Sequence, residues 1–459
     1  MSPADTADIA DLAGKLPDGR VVTDPDVVDA YRRDQTHPVV PGTPLGLVRA
    51  RAVDDVVTTL RWANAQRVPV VPRGGGTSLA GGAAAIDGCV MLSLADLNAV
   101  RELNAEDQYA VAEAGVVNAD LGRAAAAHGL MYAPDPSSYE QSTIGGNMAT
   151  NAGGLRCVKY GVTRDSALGL EVVLADGRVI NTGRRTVKGV TGYDLTGLFI
   201  GSEGTLGVIT AATVRLRRLP RTEPATVVAT FGSLRAAADA VFAIVRAGLE
   251  PSMLELIDRA HLRALEAYRP MGLDTEAAGM IVAQADTAGA QADAEEMARL
   301  CGAAGAGEVL VSSDATEAAE LVAVRRLCYP ASERLGVNLV EDVCVPRSAL
   351  PEMIERVQRA GERHGVMTAT VAHAGDGNLH PVFIYDHGHD TVPEPVWAAA
   401  DEVFRAAIDL GGTLTGEHGV GQLKRRWLNA ELGPDLLDVH HDIKRALDPH
   451  NILNPGRAI

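Results

Sequence analysis

The run His373-Ala374-Gly375-Asp376-Gly377-Asn378-Leu379-His380 carries the two side chains of this chain best suited to holding a metal ion. Positions seven apart share a helix face, but Gly375 and Gly377 argue against a helix. Asp376-Gly377 between two apolar runs is a hairpin signal instead. A hairpin centred there pairs 375 with 378, 374 with 379 and 373 with 380. The two imidazoles are then direct cross-strand neighbours, with Cβ atoms about 5 Å apart, a spacing at which both can ligate one divalent ion. A second cluster, Thr415-Gly416-Glu417-His418-Gly419, offers Glu417 as a third, carboxylate ligand. Two His and one carboxylate leave coordination positions open, as a catalytic metal requires. A lone His is ordinarily a hydrogen-bonded core residue. An in-register pair beside a Glu-His between glycines favours a metal. Arg325-Arg326, at the end of an expected helix over 315–328, is either a solvated charge pair or an anion site.

Three further segments concentrate glycine beside polar residues. The first, Pro72-Arg73-Gly74-Gly75-Gly76-Thr77-Ser78, follows a β-branched run. Glycines let backbone N–H groups approach an anion closely. No Gly-Lys-Ser/Thr follows, so this is not a Walker loop. The second runs Pro134-Asp135-Pro136-Ser137-Ser138, then Gly145-Gly146-Asn147, then Asn151 and Gly153-Gly154. The third is Gly201-Ser202-Glu203-Gly204-Thr205-Leu206-Gly207. One long cofactor explains all three better than three unrelated turns do.

The elements that must position these residues are legible from hydrophobic periodicity. Residues 1–40 read as a helical lead-in, 46–50 as a short strand and 53–66 as a helix with Val56, Val57, Leu60 and Ala63 on one face. Strand and helix signals alternate to about Leu219, which suggests an α/β arrangement. A charged, Pro-bounded stretch at 217–224 marks a boundary. Beyond it, helices are expected over 233–247, 288–304 and 349–364, and strands over 227–231, 280–283, 339–345 and 367–372. The expected fold class is α+β: a lead-in over 1–40, a first domain over 41–219, a second α+β domain over 220–410, and a helical C-terminal segment over 411–459 that ends in Asn454-Pro455-Gly456-Arg457.

With 459 residues, 46% of them apolar, the chain can build two or three cores. The net charge of −17 leaves no basic footprint for nucleic acid. It also means that an anionic substrate must be held by local Arg or Lys. The five cysteines, Cys89, Cys157, Cys301, Cys328 and Cys344, show no CxxC pairing, so zinc held by thiolates and a disulfide framework are not expected. No secretory signal or run of 18 apolar residues occurs, so the expected location is cytoplasmic, with peripheral membrane contact left open.

In their order, these motifs resemble the FAD domain of the vanillyl-alcohol oxidase/p-cresol methylhydroxylase (PCMH) superfamily. From about residue 40 onward the chain is similar to the branch containing D-lactate dehydrogenase, the glycolate oxidase D subunit and D-2-hydroxyglutarate dehydrogenase. The resemblance implies a two-part PCMH-type FAD-binding domain and an α+β substrate (cap) domain, with C-terminal helices returning to the FAD domain. It implies that 73–78 and Gly145, Gly146 and Asn147 hold the FAD pyrophosphate. Pro134, Asp135, Ser137, Ser138, Asn151, Gly154, Gly204 and Ile209 would line the rest of the cofactor, and Asn454 would close over it. Relatives with tethered flavin often carry a His in the glycine loop, where this chain has Thr77, so the expected FAD is non-covalent. The His373/His380/Glu417 positions bind a divalent metal in the family, here expected to be Zn or Mn. His418 falls at the general base and Arg325 at the substrate-carboxylate arginine.

The function implied is oxidation of a D-2-hydroxy acid. Relatives acting on D-2-hydroxyglutarate place a Lys where this chain has Val340, followed by Glu341 and Asp342, and a polar contact where it has Tyr329. A second carboxylate would therefore be left unpaired, so a D-monocarboxylate such as D-lactate is expected. Alternatives are a glycolate oxidase D-type subunit, a D-2-hydroxyglutarate dehydrogenase, and a non-redox flavoenzyme like alkyl-dihydroxyacetonephosphate synthase. No nicotinamide fingerprint or iron–sulfur cysteine cluster occurs. That leaves a quinone, an electron-transfer flavoprotein or a partner subunit as electron acceptor. A homodimer is compatible with the sequence.

Overall fold

In the computed structural model, residues 8–186, 188–389 and 391–459 are described. The chain divides into two compact units. The first comprises Met1–Gly153, Gly161–Leu219 and Glu417–Ile459, and the second Gly154–Tyr160 and Pro220–Gly416.

The first unit holds three sheets, the smallest of them the antiparallel pair Leu130–Met131 and Arg217–Arg218. Strands Gly46–Arg49, Val90–Ser93 and Val70–Arg73 pair in parallel, with Val21–Val22 antiparallel at one edge. Helix Val53–Gln66 makes the crossover between the first and third of these strands. It buries Val56, Val57, Leu60, Trp62 and Ala63 in the core that covers the sheet. The second sheet is antiparallel, in the order Val100–Asn104, Tyr109–Glu113, Val208–Arg215, Ala167–Val173, Val179–Gly183. The alternation of strands and helices therefore does not reflect a single α/β sheet. Among the described residues, only the four-stranded sheet is built on a parallel crossover. The chain's end returns to that sheet, where Leu453 bridges Val70 in parallel and the Asn454 N–H donates to the Val70 carbonyl at 2.9 Å. Helix Leu428–Leu447, kinked at Gly433 ahead of Pro434, anchors the return. The Lys444 ammonium donates to the carbonyls of Thr205 and Leu453.

The second unit is an antiparallel sheet of eight strands. Along its main path run Ala306–Ser312, Ala225–Phe231, Gly279–Ala285, Met253–Asp258, Met367–His373, Asn378–Tyr385 and Val337–Val340, while Val343–Cys344 also pairs with Asn378–Tyr385. Helix Leu350–His364 shows how its covering helices form. Leu350, Met353, Ile354, Val357, Ala360 and Gly361 recur at helical spacing on its buried face, and Gly365 ends it in the left-handed region at φ 65°. The strand Met253–Asp258 is buried at every position, so the charge it carries at Glu255 requires a partner.

Among the described residues no helix is long and apolar enough to cross a membrane. All five cysteines are free thiols. Burial pushes Cys89 and Cys301 up to about 11 and Cys328 up to about 12, which holds them protonated.

Candidate active site

In the first unit, the glycine loop and the 141–147 turn pack back to back through their missing side chains. A Cβ on Gly74 would strike the Thr143 side chain, one on Gly75 the backbone of Gln141, and one on Gly145 would lie 2.5 Å from the Ala114 Cβ. Gly76 has φ 70° beneath the Arg73 guanidinium, which donates to the Arg33 carbonyl at 2.7 Å. Ser78 accepts from Gln35 and Thr36 through its carbonyl. Pro134 presents its carbonyl to the Asn118 amide at 3.1 Å, Asp135 is buried, and Ser138 anchors the turn through Gln141 and Ser142. A Cβ on Gly204 would meet the Pro72 ring. Asn454 donates to the carbonyls of Gly82 and Glu203 at 2.9 and 2.7 Å. Asn151, at φ 54°, closes the helix Ile144–Thr150, and Ile209 is buried in the strand Val208–Arg215. The structure thus gathers 72–78, 141–147, 203–204 and 454 in one unit. Gly154 belongs to the other.

Four buried polar atoms here lack a hydrogen-bond partner: Ser142 Oγ, Asn147 Nδ2, Ser202 Oγ and Asn454 Oδ1. Buried polar groups are ordinarily satisfied. Their presence beside backbone that no Cβ could approach fits a polar ligand with many acceptors and donors, as FAD is.

Glu203 was not foreseen as a site residue. It is buried, and its carboxylate accepts from the Val420 and Gly421 N–H groups at 2.7 and 2.9 Å. Burial pushes its carboxyl up to about 7, against those two amides and the charges of Lys424 and Arg457. The Ala80 carbonyl accepts from Gln422 and Leu423. The segment that begins with Glu417 and His418 is thereby clamped just beyond them.

In the second unit, the hairpin forms with a different register. His373 pairs with Asn378 and His380 with Val371. Residues 374–377 make a four-residue loop in which the Asp376 and Gly377 N–H groups both return to the His373 carbonyl. The tight two-residue turn read from Asp376-Gly377 does not occur, so the two histidines are diagonal rather than direct neighbours. A slip by two keeps both on one face of the sheet, and their ring centroids lie 5.0 Å apart.

Behind each ring lies a fully buried carboxylate. Glu255, opposite His373 in register, has both oxygens 2.9 Å from His373 Nδ1. Its Oε2 also accepts from Arg325 Nε at 2.8 Å. Asp342 Oδ1 lies 3.9 Å from His380 Nδ1, and the same carboxylate accepts from the Asn378 amide and the Thr415 hydroxyl. The expected strand over 339–345 therefore breaks at Glu341-Asp342, which are buried but outside the ladder. A Cβ on Gly416 would strike the Asn378 side chain, so Glu417 begins one peptide, about 3.8 Å, from a residue packed on the hairpin.

Arg325, at the end of helix Ala315–Arg326, is 5% exposed, and its Nη2 is buried without a hydrogen-bond partner. Val340 pairs with Val382, which shares the face of His380, and packs against the cluster of Ala369, Val382 and Ile384. Burial raises the phenol of nearby Tyr329, which keeps it neutral.

Residues 221–458 match the family described as FAD linked oxidases, C-terminal domain, and 44–183 match the FAD binding domain. The chain belongs to the FAD-linked oxidase family. Among relatives of this FAD-linked oxidoreductase, the glycolate oxidase subunit GlcD of Bacillus subtilis is 40% identical over 430 residues, covering 93% of this chain and 91% of that protein. A D-lactate dehydrogenase of Archaeoglobus fulgidus is 35% identical over 94% of this chain and 96% of its own length. In fold, the chain is similar to p-cresol methylhydroxylase (TM-score 0.80, 18% identity, covering 100% of this chain and 97% of that one). It is also similar to alkyldihydroxyacetonephosphate synthase (TM-score 0.75, 17% identity, covering 97% and 85%). The fold class expected from the motifs, a PCMH-like FAD-binding fold with a second α+β domain, is the one observed.

The residues that sequence reasoning missed are Glu203, Glu255 and Asp342. Their common signal is a lone carboxylate inside or beside an apolar run, where an uncompensated charge would be costly.

Proposed function

We propose that this FAD-linked oxidoreductase converts a D-2-hydroxy monocarboxylic acid of the D-lactate kind to its 2-oxo acid. The observation that carries the reading is Arg325. Its Nε is held on Glu255, while its buried Nη2 has no partner. Leaving a buried guanidinium edge unmade is costly, and an α-carboxylate is the anion whose geometry matches it. The backbone at 73–78 and 145–147, closed by Asn454, would hold FAD without a covalent bond, and the flavin would supply the acceptor for the hydride of the substrate C2–H bond. His373, His380 and Glu417 would hold a divalent ion such as Zn or Mn, whose charge would acidify the substrate hydroxyl. His373 is backed on its Nδ1 side by the Glu255 carboxylate at 2.9 Å, which is how metal-binding imidazoles are usually supported, and Asp342 lies 3.9 Å from His380 Nδ1. In this account Arg325 orients the substrate by its carboxylate, and a ring nitrogen of His418 takes the hydroxyl proton.

Substrate choice follows from Val340. An apolar side chain on the histidine face offers no charge to a distal carboxylate, so dicarboxylates should be poor substrates. Identity to the Bacillus subtilis glycolate oxidase subunit favours glycolate as a second reading, with a partner subunit as electron acceptor. Comparing kcat/KM for D-lactate, D-2-hydroxybutyrate, glycolate, D-malate and D-2-hydroxyglutarate tests the assignment. The account expects one of the first three to lead, and preference for either dicarboxylate would overturn it.

A further inference from the structure

We propose that Glu255 is a positioning residue that sets the metal-binding nitrogen of His373 and the anion-binding edge of Arg325 together. The inference rests on the reading that His373 holds a metal and Arg325 a substrate carboxylate. Glu255 lies in the middle of the strand Met253–Asp258, 0% exposed and directly opposite His373. An ionised carboxylate only accepts hydrogen bonds. At 2.9 Å from both of its oxygens, His373 Nδ1 must therefore carry the proton. That fixes the neutral ring as the Nδ1–H tautomer and leaves the Nε2 lone pair as its only metal-binding site. The same carboxylate holds Arg325 by Nε at 2.8 Å, which fixes the guanidinium plane. The Nη2 of that plane, buried and without a partner, is the edge left for an incoming anion.

Oε2 is common to both contacts, Oε1 to one. The pairing is therefore sensitive to a change as small as Glu255→Gln. An amide NH2 at the Oε1 position faces the His373 Nδ1–H, and at the Oε2 position it faces both that N–H and the Arg325 Nε–H. An NH2 at Oε1 crowds the Nδ1–H and favours moving the His373 proton to Nε2, which removes the metal-binding lone pair, while an NH2 at Oε2 also pushes Arg325 away. A single isosteric substitution should therefore damage metal affinity and carboxylate binding at once. Glu255→Asp keeps two acceptor oxygens on a shorter stem and should restore part of both.

The test uses the full-length, FAD-loaded protein. Zinc and manganese affinities are measured by chelator competition, without any turnover. KM and kcat for D-lactate are measured separately, and FAD content per chain reports that the protein is folded. For E255Q we expect metal affinity to fall about 10–100-fold, KM to rise and FAD content to stay at one per chain. E255D should fall between E255Q and the unaltered protein in both metal affinity and KM. If E255Q binds metal within twofold of the unaltered protein, or if E255D is no better than Glu255→Ala, the inference is overturned. Arg325→Lys, run alongside, separates the two levels. If it leaves KM untouched while E255Q still loses metal, the substrate reading fails and the role of Glu255 at His373 stands.

Discussion

Arg325→Ala removes a side chain that is 5% exposed and bonded at 2.8 Å to a carboxylate that is 0% exposed. Two losses follow. The substrate carboxylate loses its fork of donors, and Glu255 keeps only His373 as a partner. Truncating one member of a buried, hydrogen-bonded charge pair costs about 2–5 kcal/mol. At roughly 1.4 kcal/mol per tenfold, kcat/KM for D-lactate should fall by roughly 30-fold to several thousand-fold. FAD content should not change, because the glycine loop packs against residues of the first unit while Arg325 lies in the second. Steady-state kinetics with an artificial acceptor, repeated with added methylguanidinium, is the assay. The small cation should recover part of the lost rate, because it refills a guanidinium-shaped space. Arg326→Ala is the control: one residue further on, it lies about 100° around the helix. A loss smaller than threefold in Arg325→Ala, or a large loss in Arg326→Ala instead, would refute the assignment.

Three other outcomes are expected. Denaturation should release all the flavin into solution, since Thr77 offers no tethering imidazole; yellow colour that stays with the precipitated chain would contradict this. His418→Ala should keep FAD and metal while kcat falls by about 10²–10⁴, and a near-normal kcat across the pH range would move the base elsewhere. Glu203, whose carboxyl is raised from 4.5 to about 7 by burial, should make stability depend on pH. A group with a raised folded pKa stabilises fully below its unfolded pKa and loses that contribution as pH rises through the folded value. The advantage of the unaltered protein over Glu203→Gln in urea unfolding should therefore shrink by about 2.5 kcal/mol between pH 5 and pH 8. A constant difference would show that Glu203 stays ionised in the fold.

The parts legible in the sequence were those whose information is local. Helix Val53–Gln66 and helix Leu350–His364 announce themselves by an apolar stripe, and the second is ended by Gly365 in the left-handed region. The pairing of His373 with His380 was legible as proximity but not as register. Asp376-Gly377 reads as a two-residue turn, whereas the observed loop is pinned by the Gly375 N–H donating to Leu254 of the neighbouring strand. That bond joins residues 121 positions apart (375 − 254), which no local signal encodes. Glu255 was missed for the same reason. In the run Met253-Leu254-Glu255-Leu256-Ile257 it looks like the polar member of a half-exposed strand, and only the strand's central place in the sheet buries it. The break at Glu341-Asp342 likewise depends on Asn378 and Thr415, which are distant in sequence.

The central claim, oxidation of a D-2-hydroxy acid by the bound flavin, is tested most directly by anaerobic rapid mixing of the purified protein with D-lactate and L-lactate in turn, while the flavin absorbance is followed. The account predicts that D-lactate bleaches the flavin and L-lactate leaves it oxidised. Flavin that stays oxidised with D-lactate, glycolate and every other D-2-hydroxy acid offered, or that is reduced faster by the L-enantiomer, would contradict it.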